Sequence, residues 1–257
     1  MLQKLPPGMG VGMQARLSPP VRYALYDPEA KWSLPLFYGT TGVAVNTSLT
    51  DETVTSWKQL FERPAGEPAG IGMLDEKNTL SAVASLAAGT QHCNSSPETL
   101  AKLKTLFDAQ KPFVKSYKAE GYYGRLAEGN VKIQLAWSGD AYIARGKNPA
   151  IKYFYPAEGV DLWVDSLAIP ANAENPKAAL KFIEFVMRKD NMAQYAATSG
   201  AIPSTADAMP LLPPEMRDAP EFNLPVMSRM AFAGLCTAEE KTAFNALLAD
   251  ILPLETK

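Results

Sequence analysis

Two short segments of the 257-residue chain carry residue types suited to holding a charged organic molecule: Trp137-Ser138-Gly139-Asp140 and Trp163-Val164-Asp165. Residues two apart on a strand project to one face, so Trp163 and Asp165 would stand side by side. An aromatic face beside a carboxylate is one wall of a cation site. The ring adds cation–π attraction of roughly 0.5–2 kcal/mol, and the carboxylate pairs with the charge. Trp137 ends a strand-like segment and Asp140 stands at the turn into a helix, the edge of an α/β sheet where ligands commonly bind. An alkyl diamine calls for this combination, with flat apolar walls for its methylene stem and carboxylates for its ammonium ends.

Each of these residues also has a plainer reading. A Trp at a strand end is usually core, and a turn Asp is usually a helix cap. Asp75-Glu76 follows a short strand and could add negative charge to the same cleft, but an acidic pair opening a helix is commonly a dipole or capping feature. Asp140 and Asp165 could serve as a general acid and base, as in glycoside hydrolysis, and nothing in the sequence favours that version. Gly39-Thr40-Thr41-Gly42 lacks the lysine of a phosphate loop and reads as a strand crossing or turn. His92, the one histidine, sits beside Cys93 in the polar stretch TQHCNSSPET and reads as a loop residue. Cys93 and Cys236 lie far apart in sequence, so one disulfide and two free thiols are both open. No cofactor or metal is expected, since a metal would have to rest on oxygen ligands.

Composition narrows the classes. The chain is 47% hydrophobic and 20% charged, an ordinary globular balance with room for one large or two medium domains. A formal net charge of -2 gives a nucleic-acid partner little electrostatic support. No window approaches the roughly 18 consecutive apolar residues of a transmembrane helix. The first twenty residues, broken by Pro and Gly, lack the apolar run of a secretory signal.

The elements that must position these side chains alternate between strand and helix types, which argues for an α/β architecture. Val43-Ala44-Val45 reads as a buried strand after the Gly-Thr-Thr-Gly turn. Ser56 is the cap of a short helix through Phe61, a helix is expected from about Thr79 to Ala88, and Ser96-Pro97 opens another that Pro112 stops. Val131, Ile133, Leu135 and Trp137 alternate with Lys132, Gln134 and Ala136, giving a half-buried strand. A helix is expected from Asp140, and strands over 151–155 and 162–169. Asn175-Pro176 caps a helix whose apolar face is Ala179, Phe182, Ile183 and Val186. Asp190 caps the next helix, which Gly200 terminates. Thr237 and Glu240 have capping-box form before a C-terminal helix. The N-terminal residues and 203–225 read as irregular.

At these residues the sequence resembles the periplasmic spermidine/putrescine-binding proteins of bacterial ABC importers. The segments that carry the resemblance are LPLFYGTTGVAVN (34–46), VTSWKQLF (54–61), VKIQLAWSGDAYIAR (131–145) and LWVDSLAIPANAENPKAALKFIEFVMR (162–188). The resemblance implies a non-enzymatic, two-lobed periplasmic-binding-protein type II fold. A linear polyamine would be held between the lobes and delivered to membrane permease subunits by a monomeric periplasmic receptor. Trp137 and Trp163 fall on positions whose rings flank the polyamine, Asp165 on an aspartate that receives an ammonium group, and Asp140 on an acidic position of the putrescine-preferring branch. Glu76 takes a position often acidic in the spermidine branch.

Departures from the pattern modify that expectation. Thr79 stands where the family carries a ligand-binding glutamate, and Ala201 where it usually places a tyrosine. Met1 to Leu5 resembles an internal stretch of lobe one, so the expected lobe one, 1–46 with 161–257, is incomplete, while lobe two spans 47–160. A lobe lacking early strands would expose sheet edges and apolar helix faces. The alternatives are a ligand-incompetent remnant acting through surface contacts, and the carboxylate-pair hydrolase.

Overall fold

The computed structural model describes residues 1–22, 24–224, 230–232 and 235–252. In chain order the helices and strands are α1 (Met9–Gln14), β1 (Ser33–Asn46), α2 (Trp57–Phe61), β2 (Ile71–Met73), α3 (Lys77–Ala87), α4 (Pro97–Gln110), β3 (Val114–Tyr117), α5 (Tyr122–Ala127) and β4 (Ile133–Trp137). They continue with α6 (Ser138–Lys147), β5 (Ile151–Phe154), β6 (Val160–Ala168), α7 (Pro176–Val186), α8 (Lys189–Ser199), β7 (Ile202–Pro203), α9 (Pro214–Arg217), β8 (Met230–Ala231) and α10 (Ala238–Ala249). The chain forms two compact units, unit 1 from 1–39 and 163–223 and unit 2 from 40–162 and 224–257.

Of the two readings of Gly39-Thr40-Thr41-Gly42, the strand crossing holds and the turn does not. β1 runs unbroken for 14 residues through Gly39 and Gly42, and all but one of its residues are buried. The glycines serve close approach instead of reversal. A Cβ on Gly39 would stand 2.2 Å from the Trp163 ring, and one on Gly42 would stand 2.6 Å from the Tyr153 ring. Only a residue without a side chain lets a ring lie that near the strand.

Unit 2 is a mixed sheet in the order β3-β2-β4-β1-β6-β8, with β5 also pairing β1. β2 is parallel to β3 and β4. β1 is antiparallel to β4, with Val43 opposite Leu135, and to β5, with Val45 opposite Lys152. Its core joins Val43, Val45, Trp57, Phe61, Leu80, Leu103, Phe107, Ile133 and Leu135, all essentially inaccessible. The helix ends follow the local signals: Ser56 and Gln59 form a capping box on α2, Ser96 caps α4, and Thr237 and Glu240 form a capping box on α10.

The C-terminal residues from 224 belong to unit 2 and not to the lobe of 163–223. α10 packs on α3 and α4, inserting Phe244 and Leu248 into the unit 2 core, and Ile251 just beyond the helix joins them. A disulfide between Cys93 and Cys236 ties the start of this segment to the loop before α4, which settles the cysteine alternative.

Unit 1 has a smaller set of buried side chains, among them Leu17, Leu34, Phe37, Ile183, Met192 and Ile202. β1 pairs here with β7, Phe37 lying opposite Pro203. The N-terminal residues contain the short helix α1, held by Ser18 N–H donating to the Ser204 carbonyl at 2.7 Å. Asn175 caps α7 as expected, yet of its expected apolar face only Ile183 is fully buried, and Phe182 is 60% exposed. Phe182, Phe185 and Tyr195 instead line an open apolar groove with Leu36 and Leu167.

Gly39→Ala and Gly42→Ala should each destabilise the protein by about 1–3 kcal/mol, the usual result of overpacking. Urea unfolding followed by circular dichroism checks this, and a wild-type midpoint for either variant contradicts the close-approach account.

Candidate functional site

In unit 2, Trp137 closes β4 and its residue serves as the N-cap position of α6, which opens at Ser138, two residues before the expected Asp140 start. Asp140 lies in the first turn, where its charge faces the helix dipole favourably. Tyr122 joins the two. Its buried hydroxyl accepts the Trp137 backbone N–H at 2.8 Å and donates to the Asp140 carboxylate. Its ring meets Trp137 edge to face at a centroid distance of 5.9 Å. Burial pushes the Asp140 carboxyl above its ordinary range, and the Tyr122 bond opposes that shift. A carboxylate in this state is short of stabilising charge, so an arriving ammonium group would favour its ionised form.

Sequence reading missed Tyr122. Its one signal was the Gly-Tyr-Tyr-Gly stretch before the alternating strand.

Glu76 sits elsewhere in unit 2. It is the N-cap of α3, one carboxylate oxygen accepting from Thr79 N–H at 2.7 Å and the other from the Asn78 amide at 3.1 Å. The plainer capping reading therefore describes what its side chain does in the fold. Near it lies a buried carboxylate that the sequence did not single out, Asp161, which is 4% exposed. Thr41 Oγ1 donates to it at 2.9 Å, and the Thr79 hydroxyl donates as well. Burial, reinforced by the Glu76 charge, raises its pKa to about 7.

In unit 1, Trp163 lies against the Gly39 backbone, and its indole Nε1 is buried without a hydrogen-bond partner among the described residues. Asp165, two residues on along β6, is exposed at its outer side, while the protein it lies against raises its carboxyl pKa. Tyr26 completes this group. Its hydroxyl shares a 2.7 Å hydrogen bond with Ser166 Oγ, and the Asp165 charge helps to raise its pKa. The structure thus gathers Trp137 with Asp140 around Tyr122, and Trp163 with Asp165 beside Tyr26, while Glu76 belongs to the Asp161 cluster.

The fold is α/β of the periplasmic-binding-protein type II class. It matches the crystal structure of the spermidine/putrescine ABC transporter substrate-binding protein from Streptococcus pneumoniae with a TM-score of 0.83 at 24% identity, covering 98% of this chain and 77% of that one. Residues 15–223 match the bacterial extracellular solute-binding protein family, and the chain belongs to that family. It is 30% identical over 203 residues to the spermidine/putrescine-binding periplasmic protein of Escherichia coli (strain K12), covering 79% of this chain and 58% of the relative. Over 210 residues it is 28% identical to a putrescine-binding periplasmic protein of Pseudomonas aeruginosa (strain UCBPP-PA14), covering 76% of this chain and 57% of that one. The chain spans less than three-fifths of the length of these curated relatives. The family is one of solute-binding transport proteins and not of enzymes. Among the described residues, no helix is long and apolar enough to cross a membrane.

Asp161 makes a pH prediction with a definite sign. Its folded pKa of about 7 lies above the ordinary 3.8, so its contribution to stability is complete below about pH 4 and is lost as pH rises through about 7. Asp161→Asn should therefore gain melting temperature over wild type above neutrality and lose that gain in acid. Parallel melting temperature profiles for the two proteins across this range would contradict the assignment.

Proposed function

We propose that this chain is the ligand-holding part of an ABC importer's solute receptor, and that its ligand is a linear polyamine of the putrescine or spermidine kind. The observation that carries the reading is a repeated pairing of an indole ring with a carboxylate raised by desolvation, Trp137 with Asp140 and Trp163 with Asp165. In each pair the ring offers a face to a methylene chain and the carboxylate takes an ammonium group, with cation–π attraction adding to both. Glu76 supplies further negative charge. The naming of the curated relatives as spermidine/putrescine- and putrescine-binding proteins supports the same ligand class.

In this reading the protein works as a monomer, makes and breaks no bonds, and passes its ligand to permease subunits at the membrane. The periplasm is the proposed compartment. The Cys93–Cys236 disulfide supports it, because such bonds persist in oxidising surroundings.

Calorimetric titration with putrescine, spermidine and agmatine tests the proposal. Saturable binding without turnover is expected. Trp137→Ala and Trp163→Ala should each weaken it about 2- to 30-fold, and Asp165→Asn should weaken it by about tenfold or more. A folded sample that takes up none of these amines would leave a protein acting through surface contacts alone, and hydrolytic turnover at Asp140 and Asp165 would favour an enzyme.

A further inference from the structure

Away from both indole–carboxylate pairs, unit 2 holds a second cluster of ligating atoms. His92, Cys93 and Cys236 place an imidazole nitrogen and two sulfurs within 4.8 Å of one another. His92 Nε2 is 3.4 Å from Cys236 Sγ. The other ring nitrogen, Nδ1, is buried without a hydrogen-bond partner among the described residues. A buried polar atom of that kind calls for an explanation. The ring is held nonetheless, stacked at 14° to Phe244 with the centroids 6.2 Å apart. The cluster borders a recess lined also by Ser85, Thr90, Leu235 and Glu240.

The 3.4 Å between His92 Nε2 and Cys236 Sγ is close to the spacing of two ligands around a small tetrahedral metal ion, while the two sulfurs, bonded to each other here, must separate to join such a site. With metal–sulfur bonds of about 2.3 Å and metal–nitrogen bonds of about 2.0–2.1 Å, nitrogen and sulfur ligands stand about 3.6 Å apart. Two thiolates and an imidazole are a soft set that selects zinc or cuprous ions over oxygen-seeking cations such as magnesium or calcium.

We propose that His92, Cys93 and Cys236 form a redox-gated site for a thiophilic metal ion, closed while the two cysteines are joined and opened when a dithiol reduces them. The dithiol supplies two electrons and two protons. The Cys93–Cys236 bond breaks, two thiols form, and the reductant leaves as its own disulfide. Binding of the metal ion then sends both thiol protons to solvent and sets the ion on two sulfurs and the imidazole. The ion takes over the cross-link between the loop before α4 and the start of α10. The site lies wholly in unit 2, and its test requires no polyamine.

The full chain, reduced with dithiothreitol and freed of it without air, is titrated with Co2+ alone as a spectroscopic probe. Expected are a thiolate-to-metal charge-transfer absorption and tetrahedral ligand-field bands that saturate at about one ion per chain, with Zn2+ displacing Co2+. The oxidised chain should show neither feature, and Cys236→Ser should lose the charge-transfer band of a two-thiolate site. His92→Ala and His92→Gln should keep thiolate absorption while binding about tenfold more weakly or worse. The proposal is overturned by the absence of charge-transfer absorption in reduced protein of native circular dichroism. It is equally overturned by wild-type affinity in both His92 variants, or by a reduced chain that cannot keep its fold with Co2+ present.

Discussion

Trp163 in unit 1 and Tyr153 in unit 2 each approach β1 where a side chain would otherwise stand, at Gly39 and Gly42. This close approach constrains much of what surrounds it. In unit 1 it seats the Trp163 ring against the strand, and the strand alternation of β6 then carries Asp165 along with it. In unit 2 the Tyr153 hydroxyl reaches the Thr40 carbonyl at 3.3 Å, while Thr40 N–H donates to Ser138 Oγ at the mouth of α6. The helix that presents Asp140 is thereby tied to the same strand. A pair of glycines, unremarkable as composition, positions aromatic rings by leaving room for them.

Three carboxylates share a raised pKa and differ in what surrounds them. Asp161 is enclosed and receives two threonine hydroxyls, so its charge state belongs to the fold. Asp140 receives one tyrosine hydroxyl, and burial still dominates its titration. Asp165 keeps an exposed side and is raised by desolvation alone. The last two are the groups that the proposed reading assigns to an ammonium ion, since a cation beside a desolvated carboxylate favours its ionised form.

Much of this was legible in the sequence where one local rule decided the outcome. Ser56, Ser96, Asn175 and Thr237 were readable as caps because a cap needs only the right side chain a few residues from the orphan N–H groups. The tryptophan–aspartate segments were readable from residue type and strand period. Features that depend on distant partners were not. The Gly-Thr-Thr-Gly stretch left strand crossing and turn both open, because the rings that require the glycines lie more than a hundred residues away in sequence. Tyr122 and Asp161 gave no local sign of their hydrogen bonds. Glu76 had the right charge, but its capping duty emerges only with the helix start at Lys77. The placement of the C-terminal helix with unit 2 followed from a disulfide whose pairing sequence left open. α7 was correct as a helix, yet the burial of its face depended on neighbours that its own periodicity does not encode.

The central claim is that indole faces hold a methylene stem and carboxylates take its ammonium charges. A calorimetric comparison of putrescine with butylamine and butanediol tests it most directly, because the three ligands share a four-carbon stem and carry two, one and no ammonium groups. The account predicts saturable binding of putrescine, binding of butylamine weaker by about tenfold or more, and no detectable binding of butanediol. Equal affinity for putrescine and butylamine would contradict it.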